Sequence, residues 1–332
     1  MEYFAGLDVS MEETDVSVVD RDGKVILEAR TPTAPKTIAA ALAKGPAVER
    51  VLFETGRMDG LTALGLPVVC VESRQAYQAL RSLAAHKTDR NDARGLAHLA
   101  RTGFFKPVHV KSLPSHAVRA LLIARKKLVG QRVTLENQIR GLAVAFGVRL
   151  PRGLSSGFAE KAMAAGCGIP GLDGAMRGLL AARDAILKAI VAINTDMKSL
   201  ERSSSACRRL MTIPGVGRLT ALAFAAAIDD PDRFRRSRDV GAYLGLVPRR
   251  YQSGEIDYTG SISKCGDARL RTLLYEAANV MLTRYRGSLA LKTWALDIAR
   301  RSTMRKARVA LARRLAVIMF AMLKHGAEFE PA

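Results

Sequence analysis

The chain has 332 residues, of which 48% are hydrophobic and 25% are charged, as is typical of a globular protein of two or three domains. Its formal net charge of +21 indicates a polyanionic partner. No apolar run approaches the roughly 20 residues of a membrane-spanning helix, and no basic leader followed by an apolar run opens the chain, so we expect a cytoplasmic protein.

The charge is unevenly distributed along the chain. Residues 1–105 contain 13 Lys and Arg against 14 Asp and Glu, whereas residues 106–200 contain 15 against 5 and residues 201–332 contain 24 against 12. The first segment therefore holds carboxylates, and the other two form the basic field. The four cysteines include no Cys-x-x-Cys pair, which argues against a zinc site and favours reduced thiols.

The N-terminal segment alternates between strand and helix patterns. The predicted strands cover residues 3–9, 14–19, 25–29, 50–54 and 67–71, and the predicted helices cover residues 35–44 and 58–64. The first three strands form a meander with a turn at residues 21–24, after which helices alternate with strands. This order predicts an α/β domain with a mixed sheet, of the ribonuclease-H-like kind.

Four carboxylates occupy distinctive positions in this domain. Asp8 lies near the end of the first strand, and Glu54 ends the fourth. Because open α/β sheets bind ligands at the carboxyl ends of their strands, we expect both side chains to reach one crevice. Thr88 is a predicted N-cap, and Asp89 and Asp92 are then three residues apart on one face of the following helix.

A helix laid against the sheet would bring these carboxylates together. Their mutual repulsion then favours a bound divalent metal, Mg²⁺ or Mn²⁺, and two such ions bridged by carboxylates are a usual device of phosphoryl transfer. The alternative is that Asp89 and Asp92 only stabilise a helix N-terminus. Asp8 and Glu54 are harder to explain in that way, because a carboxylate after an apolar strand is costly without a partner.

The next segment is helical. Leucines repeat every seven residues over Leu121–Leu142, and apolar residues do so again over Leu179–Leu200. This spacing predicts coiled-coil seams, interrupted by the glycine-rich residues 147–172. The two helices either pair with each other as a hairpin or pair with another subunit. Their basic outer faces suit a nucleic-acid backbone or are simply solvated.

The sequence Ile-Pro-Gly-Val-Gly at Ile213–Gly217 lies between two helical stretches. It is similar to the turn of a helix-hairpin-helix motif, in which Gly215 and Gly217 would let backbone N–H groups approach a phosphate. The same pentapeptide also forms a simple tight turn, so this motif alone does not decide the function.

The stretch Pro248–Gly254 places a serine before a glycine in a predicted loop surrounded by cations. A flexible glycine, basic flanks and a small hydroxyl suit a nucleophile aimed at a phosphodiester, so Ser253 is the candidate. The simpler alternative is an ordinary turn. The candidate phosphate contacts around the serine are Arg249, Arg250, Lys264, Arg269 and Arg271.

The last helix, predicted over residues 304–324, alternates an apolar face with a basic face. The apolar face is expected to join the core, and the basic face is expected to contact a polyanion. The candidate contacts on this helix are Arg305, Arg313 and Arg314.

Taken in order, these motifs resemble those of the DEDD transposases of insertion sequences, the bridge-RNA-guided serine recombinases. The four acidic residues for which the DEDD family is named match Asp8 in Gly-Leu-Asp-Val, Glu54 in Phe-Glu-Thr-Gly, and Asp89 and Asp92 in Lys-Thr-Asp-Arg-Asn-Asp-Ala. The C-terminal motifs match Ile213–Gly217, Gly245–Pro248, Ser253-Gly254, Ile262–Gly266 and Leu270-Arg271. The likeness covers nearly the whole chain. One departure is Gln252, where the family often has a second small hydroxyl residue, and this leaves Ser253 alone at that place.

The resemblance implies a RuvC-like DEDD domain over residues 1–106, a coiled coil over residues 107–203 and an all-α transposase domain over residues 204–332. It implies that metal-bound carboxylates of one subunit meet Ser253 of another within a tetramer. It also implies a covalent phosphoserine–DNA intermediate, and donor and target DNA chosen by pairing with a non-coding bridge RNA. Such a protein works in the bacterial cytoplasm, at the nucleoid when active.

Two other interpretations are open at this point. In the first, the protein is a metal-only RuvC-like nuclease or resolvase, and Ser253 is structural. In the second, it is a catalytically silent nucleic-acid binder whose carboxylates are coincidental. Loss of strand exchange in both carboxylate and serine variants would favour the recombinase.

Overall fold

A computed structural model describes residues 1–54, 59–83, 88–151 and 157–331. The chain divides into two compact units, Met1–Val110 and Lys111–Ala332. The predicted division into three domains, with boundaries after residues 106 and 203, stays a prediction.

The first unit is built on a five-stranded sheet. Its strands are β1 (Tyr3–Val9), β2 (Glu13–Asp20), β3 (Val25–Pro32), β4 (Arg50–Phe53) and β5 (Val68–Cys70). They lie in the order β3-β2-β1-β4-β5, with the first three antiparallel and β1, β4 and β5 parallel. The predicted mixed sheet is therefore confirmed.

Helices cover both faces of this sheet. They are α1 (Pro35–Leu42), α2 (Asp59–Ala63), α3 (Ser73–Leu83) and α4 (Asp89–Thr102), of which the sequence did not predict α3. Alternate residues of each strand point to opposite faces, so Leu7 packs with Ile38 of α1 while Phe4 packs with Leu96 of α4. The predicted helix over residues 58–64 begins at Met58, which lies outside the described residues.

The second unit begins with a helical hairpin. Helix α5 (Leu113–Ala145) and helix α7 (Leu172–Ser203) flank the short α6 (Phe158–Gly166). Arg125 Nε donates to Asn194 Oδ1 at 2.7 Å, and Arg183 Nε donates to the buried Glu136 Oε1 at 3.0 Å. From the first contact to the second, the residue number increases along α5 and decreases by the same amount along α7. The two helices are therefore antiparallel.

The buried positions of the helical hairpin differ from the predicted heptad seam. The heptad residues Leu128 and Leu135 are half-buried, whereas Glu136 and Ile139 are fully buried. A straight α-helix has 3.6 residues per turn and drifts away from a strict seven-residue repeat, so the contact line moves across the helix surface. The intrachain alternative accounts for the pairing seen here, and a seam between subunits stays a prediction.

The rest of the second unit is helical, except for one β-hairpin. Its elements are α8 (Ser205–Leu210), α9 (Arg218–Ile228), α10 (Asp239–Tyr243), β6 (Pro248–Ser253), β7 (Ile256–Ile262), α11 (Ala268–Thr283), α12 (Ala290–Arg301) and α13 (Met304–His325). Phe224, Leu274 and Phe320 lie in its large core. The helical C-terminal region agrees with the sequence prediction, except that the β6–β7 hairpin was not predicted. In the part of the chain described here, no helix combines the length and apolar character that a bilayer span requires.

Candidate active site and nucleic-acid interface

The carboxylate face of the first unit is set by the packing of α4 onto β1. A Cβ atom on Gly6 would collide with the carbonyl oxygen of Ala93 and the amide nitrogen of Ala97. Only glycine lets the helix backbone approach the strand this closely. Helix α4 therefore lies directly above β1, on the face to which Phe4, Gly6 and, by alternation, Asp8 belong.

Asp8 and Glu54 come at the carboxyl ends of two neighbouring parallel strands. Leu7 is in register with Phe53, so the residues that follow them, Asp8 and Glu54, are next to each other across the sheet. Leu52 packs with α4, and alternation places Glu54 on the same face. Both carboxylate residues are half-buried. By this alternation both residues lie on the α4 side of the sheet, and a crevice shared by them stays a prediction.

Asp89 and Asp92 lie in the first turn of α4. The predicted N-cap is confirmed, because the Thr88 hydroxyl accepts a hydrogen bond from the Asn91 amide at 3.2 Å. Asp89 is exposed and lies 3.4 Å from the Arg30 guanidinium, while Asp92 is half-buried. Since the helix begins above the strand ends, its first turn brings two more carboxylates to the side of the sheet that carries Asp8 and Glu54.

The four carboxylates have the chemistry of a site for a hard divalent cation. They share one side of the sheet, yet among the described residues no three Asp, Glu, His or Cys side chains lie close enough together to hold one ion. One of the four already has a cationic neighbour, because the Arg30 guanidinium lies 3.4 Å from Asp89 as well as 3.2 Å from Asp15. The metal site therefore stays a prediction.

A network of charges also ties α4 to the sheet, and sequence reasoning missed it. Glu28 of β3 accepts hydrogen bonds from Arg90 and, at 2.8 Å, from Arg94, both on α4. The Arg90 hydrogen bond is the main cause of a lowered pKa at Glu28, with Arg94 adding to it and burial opposing it. The strand register could have indicated this network, because Glu28 faces Ser17 of β2 on the α4 side.

Ser253 was predicted to lie in a loop, but it is the last residue of β6. It pairs with Ile256 across a two-residue turn in which Gly254 has a φ of +55°. A positive φ at the first loop residue alone is the pattern of a type II′ turn, whose twist suits a hairpin. The serine is thus exposed at the tip of a hairpin of strands, beside the flexible glycine that the sequence singled out.

One face of this hairpin groups the serine with aromatic side chains. Directly opposite residues of an antiparallel pair share a face, so Tyr251 and Tyr258 lie with Ser253 and Ile256. The two tyrosine rings stack with centroids 5.3 Å apart, and both side chains are more than half exposed. Every residue of β6 is exposed, and in β7 only Ile262, at the base of the hairpin, is half-buried.

The base of the hairpin is held by two close approaches of backbone to backbone. A Cβ atom on Gly245 would collide with backbone atoms of Cys265, and one on Gly266 would collide with the carbonyl oxygen of Tyr243. Both glycines have left-handed φ values, +65° and +71°. The glycines of Gly-Leu-Val-Pro and Ser-Lys-Cys-Gly-Asp therefore allow the segment before β6 and the segment after β7 to pack backbone against backbone.

The cations near Ser253 differ in the hydrogen bonds that they already make within the protein. Arg250 donates to Asp257, and this hydrogen bond lowers the pKa of the Asp257 carboxyl. Arg249 donates to the Ser263 carbonyl at 3.1 Å, and Arg271 donates to the carbonyls of Leu244, Cys265 and Gly266. Arg271 thus stabilises the hairpin base. Lys264, with a φ of +56°, is exposed there.

The helix-hairpin-helix-like turn lies between α8 and α9. Gly215 has a φ of +89°, and a Cβ atom there would collide with the carbonyl oxygen of Ala277 in α11. Close packing against α11 therefore explains this glycine. Gly217 is exposed at the N-cap of α9 with open space where a Cβ would be, so the two glycines play different structural roles.

The predicted basic face of α13 is present. Arg305, Arg313 and Arg314 are all exposed, whereas Leu311, Leu315 and Phe320 on the other side are buried in the core. Arg269 differs from them, because it is half-buried at the start of α11 and its Nε is buried without a hydrogen-bond partner. The contacts of these residues with nucleic acid stay predictions.

Comparison with known proteins bears directly on these motifs. The model of the transposase IS116/IS110/IS902 family matches residues 207–294, and a transposase model for the DEDD proteins of IS110 elements matches residues 5–146. The transposase for insertion sequence element IS1111A of Coxiella burnetii is 31% identical over 327 residues, which cover 96% of this chain and 88% of that protein. This chain belongs to the IS116/IS110/IS902 transposase family.

Further relatives share shorter stretches with this transposase. The transposase for insertion sequence element IS1328 of Yersinia enterocolitica is 30% identical over 250 residues, 74% of each chain. The pilin gene-inverting protein of Moraxella bovis is 31% identical over 124 residues, 36% of this chain and 38% of that protein. Membership of the family makes the chain a DNA transposase, an enzyme that recombines DNA.

Proposed function

We propose that this transposase cuts and rejoins donor and target DNA through a covalent phosphoserine–DNA intermediate at Ser253. The observation that carries the proposal is the exposed serine hydroxyl at the tip of a hairpin whose base is fixed by Gly245 and Gly266. Attack would form a bond from Ser253 Oγ to phosphorus and break the bond from phosphorus to a sugar oxygen. The serine loses a proton and the leaving oxygen takes one up. Because the new ester between serine and phosphorus replaces the phosphodiester bond that is broken, rejoining needs no external energy source.

In this proposal Asp8, Glu54, Asp89 and Asp92 hold divalent metal. When bound, Mg²⁺ or Mn²⁺ would polarise the scissile phosphate and stabilise the leaving oxygen. Support comes from the four carboxylates on one side of the sheet, where Asp89 also lies 3.4 Å from the Arg30 guanidinium. The exposed cations Arg249 and Lys264 would attract the DNA backbone to the serine hairpin.

The guide and the assembly are part of the same proposal. The net charge of +21 suits a protein that holds RNA and DNA by their phosphates. An element-encoded bridge RNA would choose both DNA partners by base pairing, and a tetramer would bring the carboxylates of one subunit to the serine of another. We also propose a ribonuclease-H-like fold and the boundaries 1–106, 107–203 and 204–332 for the three domains.

Trapping the intermediate tests the serine. Wild-type protein incubated with nicked DNA and guide RNA should yield, after digestion, a nucleotide attached to the peptide that contains Ser253, detected by mass spectrometry. Ser253→Ala should bind both nucleic acids and give neither adduct nor recombinant. The matched control is Thr259→Ala, which removes an exposed hydroxyl from the opposite face of the same hairpin and should leave strand exchange intact.

A second candidate function is a metal-only RuvC-like nuclease, which the shared side of the four carboxylates favours independently of Ser253. Asp8→Asn should abolish cleavage under either mechanism, whereas Asp22→Asn, at the exposed turn after β2, should not. Strand exchange by Ser253→Ala would decide for the metal-only enzyme. Cleavage by Asp8→Asn, or cleavage in excess EDTA, would contradict the metal role in both.

A further inference from the structure

A cavity of about 690 Å³ opens at the base of the serine hairpin. Its walls come from α13, from Trp294 of α12 and from the ends of β6 and β7 at Pro248 and Ile262. This volume lies within the range of roughly 300–1,000 Å³ that small-molecule sites occupy. The mechanism proposed above uses none of the apolar residues that line it.

The rim of the cavity is strongly basic. Five cations and no carboxylate are among its lining residues, and the cations are Arg238, Arg305, Lys306, Arg313 and Arg314. Throughout the part of the chain that the structure describes, none of these five forms an ion pair with a carboxylate. Five cations around one opening create a field that attracts an anion with several charges, such as a chain of phosphates.

The floor of the cavity is apolar. Val309, Ala310 and Val317 present aliphatic groups from α13, and Trp294 is 39% exposed with Arg314 placed 5.9 Å from its ring centroid. A free phosphate gains nothing from such a floor. A ligand that combines phosphates with a flat apolar body fits both parts, and an unpaired nucleotide has this chemistry.

We propose that the cavity binds one unpaired nucleotide of the DNA strand, with the base against the floor beside Trp294 and the flanking phosphates on the basic rim. The choice of DNA rests on the proposed function. The strand from Pro248, at the cavity, to Ser253, at the hairpin tip, spans about 17 Å. The bound nucleotide would therefore lie roughly five stacked nucleotides away from the phosphodiester that the serine attacks.

The single tryptophan of the chain makes this proposal directly measurable, because Trp294 is the only source of indole fluorescence. Full-length Ser253→Ala protein is titrated with a short single-stranded DNA oligonucleotide, with an abasic strand of the same length, with a duplex and with the matching RNA. The single-stranded DNA should quench the fluorescence of Trp294. The abasic strand should quench little and bind about tenfold more weakly, since it lacks the stacked base.

Two variants test the apolar floor and the basic rim of the cavity separately. Ala310→Leu narrows the floor without changing the charge, and it should remove the quenching while retaining the phosphate contacts. Arg314→Gln should weaken binding of both the normal and the abasic strand. Arg286→Gln removes the same charge from an exposed site outside the cavity and should leave the quenching unchanged. Circular dichroism of each variant confirms folding, and Arg314→Gln keeps the test valid if Ala310→Leu misfolds.

Three results would overturn the proposal. Equal quenching by the abasic and the normal strand would show that no base enters the cavity. Quenching by the duplex at lower concentrations than by the single strand would show that the bound nucleotide is paired. Stronger quenching by RNA than by DNA would make the occupant a nucleotide of the guide. Failure of the proposed function looks different: the wild type would then form no serine adduct while Ser253→Ala is still quenched by single-stranded DNA.

Discussion

The carboxylate face and the serine hairpin both place candidate catalytic residues, but they are held in different ways. Asp8, Asp89 and Asp92 belong to a helix and a strand that are packed together around Gly6 within the core. Ser253 lies at the end of an exposed two-stranded hairpin, and only the base of that hairpin is tightly packed. Under the proposed function, we therefore expect the carboxylates to be held in place before DNA binds and the serine to adjust to the DNA.

The largest expected effect comes from breaking the packing of the carboxylate face. Gly6→Ala forces α4 away from β1, because the new Cβ meets backbone atoms that have no room to yield. We expect the free energy of unfolding to fall by about 3 kcal/mol or more, the upper range for overpacking, and DNA cleavage to be lost. Chemical denaturation measures the change.

The control for this variant is Gly141→Ala in α5, where a Cβ meets open space. This change should stabilise the helix by about 0.5–1 kcal/mol, the usual difference between glycine and alanine in a helix. If Gly6→Ala unfolded at the same denaturant concentration as the wild type, α4 would not be packed against β1 at backbone contact distance.

A smaller effect is expected at the base of the serine hairpin. Gly245→Ala combines a left-handed φ with a collision against Cys265, but Cys265 is exposed and its backbone has more room to yield than α4 has in the core, so the change should cost about 2 kcal/mol and reduce strand exchange. Gly260→Ala in β7 serves as the control, because its nearest neighbour would be the Arg249 carbonyl oxygen at 3.9 Å. If both variants exchanged strands equally well, the base would not be what orients the serine.

The smallest expected effect is a dependence of stability on pH in the first unit. Burial lowers the pKa of His98 below its ordinary value of 6.5, with Arg101 and Arg94 adding to the shift. The unfolded chain therefore takes up the proton first, and stability should fall as the pH drops from 6.5 towards the folded pKa. In thermal unfolding at several pH values, His98→Gln should flatten this slope relative to the wild type.

Several features could be predicted from the sequence because they depend on neighbouring residues. Thr88 caps α4 through the amide of a residue three positions later, and Asp8 lies near the end of a strand that a mostly apolar run of residues predicts. The order of the strands in the first unit follows from the same local patterns, as does the apolar face of α13, although helix α3 was not predicted. The likeness to transposases came from motifs of the same short range.

Other features were decided only by tertiary structure. The sequence identifies Gly6, Gly215, Gly245 and Gly266 as small residues, but the backbone that each one touches belongs to an element elsewhere in the fold. Arg30 reaches Asp89 across 59 positions of sequence, and no periodicity predicts such a pair. The hairpin of Ser253 was missed because its strands are exposed on both faces and lack the apolar alternation that burial imposes. Local chemistry determined the elements, and long-range packing determined which side chains meet.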